Sequence, residues 1–220
     1  MSQAQTHHNH YWSQEKAIDF HSYERNWSLP ALFSSPQLVL DIGCGDGAVG
    51  EYLIQQHHCQ VIGLDFSQHA LKRSQNRGIK SIQSDFDKPL PIANSTIDTV
   101  FFGDVIEHIY FPDLAIKEIA RVLKPGGRVI ISCPNMGYWR YRLHYLFTGL
   151  FPETEWIEKE LWNSQHIRFF NPKLLSTLLL KHKLEPTKFI GVSRRRLDLP
   201  LLSLFPQWFG MIMIQVAIKP

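Results

Sequence analysis

From Leu38 onward, short apolar runs bounded by glycine, aspartate and proline alternate with longer segments of mixed character. That alternation is the mark of a parallel sheet covered by helices. The runs predict seven strands, at Leu38–Ile42, Gln60–Asp65, Ser81–Ser84, Thr96–Phe102, Gly127–Ser132, Thr187–Ser193 and Met211–Ile218. The segments between them predict helices over Gly47–His57, Gln68–Arg77, Pro112–Leu123, Tyr138–Phe147 and Pro172–His182, and a further helix before Ser34 is expected to cover the sheet. Pro172 stands at a favoured first helical position behind Asn171. The last two strands are separated by about 17 residues that include Pro200 and Pro206. So short a link with little helical periodicity predicts an antiparallel return, not a helical crossover.

A chain of 220 residues with 44% hydrophobic content buries a core without staples, so a single domain is expected. Within it, residues 1–33 read as a lid or helical segment, 34–133 as the ligand-binding core and 134–220 as the acceptor side with the final strands. Cys44, Cys59 and Cys133 have neither paired nor zinc-like spacing, which fits a reducing, cytoplasmic setting. The start of the chain, with His7, His8, His10, Tyr11 and Trp12, lacks the pattern of a signal peptide. Its histidines read as a polar tail, not as metal ligands. Asp198, Pro200, Pro206 and Gln207 break Leu197–Ile218 too often for a membrane span. Charge is uneven: residues 1–125 carry 10 Lys/Arg against 14 Asp/Glu, and residues 126–220 carry 13 against 6. A basic second half suits either an anionic acceptor or simple solvation.

Chemistry enters after the first strand, at Asp41-Ile42-Gly43-Cys44-Gly45-Asp46-Gly47-Ala48. Glycines there let the main chain turn tightly and approach a ligand. Asp65 ends the second strand, where a carboxylate accepts hydrogen bonds from both hydroxyls of a ribose, and Phe66 follows it. Gly43, Gly45 and Ala48 also meet the relaxed dinucleotide fingerprint, which keeps an NAD-dependent enzyme open. Asp41 argues the other way, because a carboxylate at the mouth of the loop repels a pyrophosphate and suits an ammonium. S-adenosylmethionine (SAM) carries an ammonium and no phosphate. Asp85, followed by Phe86, is placed to accept from an adenine amine while the ring is covered. The plain alternative has Asp41 capping a turn, Asp65 capping the next helix with Ser67, and the glycines serving packing alone.

The string Val39-Leu40-Asp41-Ile42-Gly43-Cys44-Gly45-Asp46-Gly47 resembles the first motif of class I SAM-dependent methyltransferases. Asp65, Ser84-Asp85 and Leu123-Lys124-Pro125-Gly126-Gly127 fall at the successive family positions. Asp104-Val105-Ile106-Glu107-His108 resembles the group that includes the ubiquinone-pathway O-methyltransferases. The resemblance implies an α/β, Rossmann-like seven-stranded sheet in the order 3-2-1-4-5-7-6, with strand 7 antiparallel. It also implies SAM as cofactor and S-adenosylhomocysteine (SAH) as product, held by Asp41, Gly43, Cys44, Gly45, Gly47, Asp65, Phe66, Asp85, Phe86, Asp104 and Val105. Further on, Pro134-Asn135-Met136-Gly137-Tyr138-Trp139-Arg140 is similar to the methionine-biosynthesis protein W family. His166-Ile167-Arg168-Phe169-Phe170 resembles both that family and glycan-cluster methyltransferases.

Methyl transfer from a sulfonium is an in-line displacement whose leaving group is built into the cofactor, so alignment and exclusion of water are the protein's tasks and no metal is expected. A hydroxyl or amine acceptor benefits from a base. His108, at the carboxyl edge of the fourth strand, is the candidate; the plain alternative is a helix-starting histidine that packs beneath the lid or orients Glu107, and Glu107 could equally steady the site without touching a proton. Trp139, Arg140, His166 and Arg168 are candidates to line the acceptor pocket. Cys133 reads as core. Two functions stay open: transfer to a small-molecule acceptor, a metabolite or glycan precursor, and a SAM-binding partner subunit of a homoserine acyltransferase. Arg194-Arg195-Arg196 raises nucleic acid as a target, but no dedicated recognition domain accompanies it.

Overall fold

The computed structural model describes residues 19–34, 36–152, 154 and 165–220. Its strands are β1 (Leu38–Ile42), β2 (Gln60–Asp65), β3 (Lys80–Gln83), β4 (Ile97–Gly103), β5 (Leu123–Pro134), β6 (Glu185–Val192) and β7 (Ile212–Ile218). They form one sheet in the order β3-β2-β1-β4-β5-β7-β6. β3 through β5 pair in parallel, and β7 runs antiparallel between β5 and β6. The expected order and the reversed last strand are both present.

The central strands are apolar because both faces are covered. Leu40, Ile42, Val100, Phe102, Val129 and Ile131 face one layer, built with Ile116, Ile119 and Val122 of helix α3 (Pro112–Val122) and Leu175 and Leu179 of α5 (Pro172–Lys181). Val39, Val61, Phe101 and Ile130 alternate to the other face, against Val49 and Leu53 of α1 (Ala48–His57). Helix α2 (Gln68–Asn76) starts at Ser67, whose hydroxyl accepts from the Ala70 N–H, and α5 starts at Asn171, whose side chain accepts from the Leu174 N–H. Both are ordinary side-chain caps of otherwise orphaned donors. Helix α4 (Trp139–Thr148) buries none of its residues.

Two sequence expectations are corrected, and the final link is described more closely. No continuous helix precedes Ser34 among the described residues: three 3₁₀ turns, Phe20–Ser22, Glu24–Ser28 and Pro30–Leu32, carry Phe20, Leu29, Leu32 and Phe33 onto the sheet. Pro30 lacks an N–H and crowds the preceding turn, which breaks the segment into short pieces. β5 begins at Leu123, not Gly127, since Leu123 already pairs with Ile97 before a register shift over the glycine turn. The β6–β7 link holds two single-turn helices, α6 (Leu199–Leu202) and α7 (Pro206–Phe209), each opened by a proline in its first turn. Histidines 7, 8 and 10, Tyr11 and Trp12 lie outside the described residues. No helix of the described residues is long and apolar enough to cross a membrane.

Candidate cofactor and acceptor site

The strand order turns back between β1 and β4, and ligands of open parallel sheets bind in the crevice at the carboxyl ends of such a pair. Two loops meet there. After β1, Gly43, Gly45 and Gly47 all take positive φ. At Gly43, a Cβ would lie 2.3 Å from Cγ2 of Val105 in the loop after β4, so glycine is needed both for the angle and for the contact. Gly47 caps α1 in the left-handed conformation, and a Cβ there would meet Ile79 at 2.5 Å.

Asp65 holds this loop in shape. One of its oxygens accepts the Gly45 N–H at 2.9 Å and the other the Ser67 N–H at 2.8 Å. A carboxylate offers about four lone pairs, so both oxygens can still receive ribose hydroxyls. Burial raises the Asp65 carboxyl above its usual range, opposed by the N–H groups of Ser67, Gly45 and Phe66.

Asp41 is buried, and its Oδ2 has no hydrogen-bond partner. Desolvation pushes its carboxyl up to about 7, against the pull of the Arg25 guanidinium and reinforced by Asp65. A buried carboxylate oxygen with an open valence fits an ammonium. Cys44 joins through its main chain, its N–H donating to Leu64 O at 3.0 Å, while its thiol is buried and its pKa raised by that burial. Asp104 has positive φ, accepts the Ser132 hydroxyl on Oδ1 at 2.8 Å, and is ion-paired through Oδ2 to Arg25.

Arg25 was not singled out in the sequence. It stands in a 3₁₀ turn with no amphipathic period, and only the fold shows it buried over the rings of Tyr23 and Phe101. Phe86 packs into the main core layer with Leu64 and Leu90. Asp85 caps its own turn through the Asp87 N–H at 3.1 Å and pairs with Lys88 at 2.9 Å.

On the acceptor side, the loop after β4 brings together residues far apart in sequence. The N–H groups of Ile167 and Arg168 both donate to Glu107 O at 3.0 Å. That fixes His166 beside Glu107, with Nε2 4.0 Å from Oε1, and beside His108, with ring centroids 4.7 Å apart. His108 Nδ1 lies 3.2 Å from Gln165 O and His166 Nδ1 lies 2.5 Å from Thr154 Oγ1. Arg168 donates to Tyr110 O at 2.7 Å.

Trp139 and Arg140 go elsewhere. The Trp139 indole donates to Asp198 at 3.0 Å, the Tyr138 hydroxyl donates to the same carboxylate at 2.7 Å and the Ser193 hydroxyl at 2.6 Å. Arg140 lies over the Trp139 ring. The Trp139 interactions anchor α4 to the segment after β6; among the described contacts none joins it to His166 or Arg168. Cys133 is core, as expected.

The family description "Methionine biosynthesis protein MetW" matches residues 29–216. The chain belongs to that family. As a MetW-family member it is a class I SAM-dependent methyltransferase by fold and motif, and the residues above fit the cofactor of that class. This MetW-family chain is 27% identical over 186 residues to a ubiquinone biosynthesis O-methyltransferase of Dechloromonas aromatica, covering 80% of the chain and 76% of the relative. It is 35% identical over 98 residues to a probable SAM-dependent methyltransferase of Mycolicibacterium smegmatis, covering 44% of the chain but only 38% of the relative. A SAM-dependent methyltransferase from Mesorhizobium loti shares the fold at TM-score 0.66 and 16% identity, over 91% of this chain and all (100%) of that one.

Proposed function

We propose that this MetW-family methyltransferase moves the SAM methyl group to a hydroxyl of a small-molecule acceptor. The observation that carries the reading is the meeting of two loops at the β1–β4 switch point, one shaped for an adenosyl ammonium and the other bearing Glu107 and His108, with His166 brought beside them by a distant segment. The name of the Dechloromonas relative, an O-methyltransferase, supports it.

SAM, when bound, supplies an activated methyl group and a neutral thioether leaving group. The chain holds it: Asp65 takes the ribose, Asp41 the ammonium, and the N–H groups of the glycine loop line its path. Arg25 closes that side and balances Asp41 and Asp104. His108, which faces a carbonyl through Nδ1, carries its proton there when neutral and presents Nε2 to a hydroxyl proton. Glu107 stabilises the His108 imidazolium that would form.

Calorimetric titration with SAH tests the cofactor site, with NAD as control. Micromolar SAH binding with none for NAD supports the reading, and the reverse overturns it. A screen of hydroxylated metabolites and sugar nucleotides with methyl-labelled SAM then tests the acceptor class.

A second reading is favoured by the family description and by helix α4, where Leu146 and Phe147 are 72% and 80% exposed. In it, the chain binds SAM and docks on a homoserine acyltransferase. Co-purification of the two untagged proteins at micromolar concentration checks it, and elution as separate species would remove it.

A further inference from the structure

The methyl-transfer reading uses His108 as a base, Glu107 to steady it, and gives His166 no step of its own. Their arrangement does more than that requires. One donor atom from each, a carboxylate oxygen and two imidazole nitrogens, lies within 4.8 Å of the others. A borderline divalent ion binds such donors at about 2.0–2.2 Å, so ligands across it stand roughly 3–4 Å apart and the cluster needs to contract by about 1–2 Å, within the reach of side-chain rotation. We propose that Glu107, His108 and His166 form a binding site for a divalent transition-metal ion of the zinc or manganese class, with coordination positions left open toward the cofactor loop.

Three further observations support the site. The backbone is pinned around it, because the Glu107 carbonyl receives two N–H groups from the segment that bears His166, and the His108 N–H donates to Val105 O at 2.9 Å. Each imidazole is oriented through Nδ1 by an oxygen, Gln165 O for His108 and Thr154 Oγ1 for His166. Outer-shell oxygens of this kind fix the tautomer and leave Nε2 to face a metal. Charge points the same way: Asp41, Asp104 and Glu107 are gathered around a single buried guanidinium, that of Arg25, so the crevice holds more carboxylate than cation. Two imidazoles and one carboxylate favour zinc, manganese, iron or cobalt over magnesium or calcium.

The site departs from the sequence expectation of a metal-free enzyme. Its role toward an acceptor rests on the proposed function: an acceptor oxygen entering an open position is oriented for transfer, and His108 acts as ligand in place of base. Metal binding itself is read without any methyl transfer, so the two readings fail separately.

The test uses the full chain without an affinity tag, stripped with a chelator and dialysed against zinc or manganese, with magnesium as control. Elemental analysis is expected to give one zinc or manganese per chain. Glu107→Gln and His166→Ala are expected to weaken binding by about 100-fold or more while still binding SAH, and replacing His7, His8 and His10 by alanine is expected to leave it unchanged. X-ray absorption on the zinc-loaded wild type is expected to show two imidazole nitrogens and carboxylate oxygen, a readout that does not depend on any variant folding. No bound ion, binding that survives both site variants, binding lost with the three terminal histidines, or a shell without imidazole would each overturn the proposal.

Discussion

Asp41 is the residue whose chemistry reaches furthest. Its carboxyl titrates at about 7 in the folded protein and near the ordinary 3.8 when unfolded. A folded pKa raised in this way contributes stability that is present below about pH 4 and lost as pH rises through 7, because the native state then holds a charge it cannot solvate. Asp41→Asn should therefore melt above wild type at pH 8 and lose that advantage at pH 4 to 5, read by thermal unfolding. SAH brings an ammonium to the same carboxyl and should draw its proton off near pH 7. The heat of SAH binding is then expected to vary with the ionisation enthalpy of the buffer, and Asp41→Asn should abolish the variation. Asp65→Ala removes both the ribose acceptor and the clamp on Gly45 and Ser67, and should weaken SAH binding by about 10- to 100-fold in the same titration. The placement of Asp41 and Asp65 at the ends of β1 and β2 beside the glycine loop was legible, because the strands and the glycines mark it in sequence. Arg25 was not, since nothing local distinguishes a buried arginine in a broken turn from a solvated one. Phe86 is ambiguous in sequence for the opposite reason: an aromatic after a strand serves a ligand and a core equally well.

At the scale of elements, the sheet could be read directly because strands covered on both faces give apolar runs, as in Leu38–Leu40 and Val129–Ile131, and the short final link with its two prolines favoured an antiparallel return over a helical crossover. The docking of the His166 segment on the loop after β4 could not, since it depends on contacts between distant segments with no pattern of their own. The anchoring of α4 was equally hidden: Trp139 reads as an acceptor residue until Asp198 is seen beneath it. Asp198 is fully buried and receives three side-chain donors. Asp198→Ala leaves all three without an acceptor and should lower stability by about 2–4 kcal/mol in denaturant unfolding. Asp198→Asn, which can still accept through its carbonyl, should lose less.

For the whole molecule, the 3₁₀ turns before β1 and the β1–β4 crevice are one mechanical unit through Arg25, which is paired to Asp104 and lies over Tyr23 and Phe101. SAH binding should slow amide exchange across residues 20–33 as well as in the glycine loop, measured by mass spectrometry. Arg25→Ala should uncouple the two, with the turns exchanging faster and SAH no longer protecting them.

The Asp198 knot bears on how this chain can be recombined with its relatives. Tyr138 and Trp139 sit on one side of the knot and Ser193 on the other, with the whole of α5 and β6 between them in sequence. A chimera that imports a foreign α4 with a breakpoint before residue 193 inherits the carboxylate without its donors, or the donors without the carboxylate. Exchange of the acceptor side between family members is therefore constrained to a single block running from Tyr138 through Asp198. Within that block His166 travels as well, so any graft that alters what α4 presents to a partner also carries the imidazole that faces Glu107.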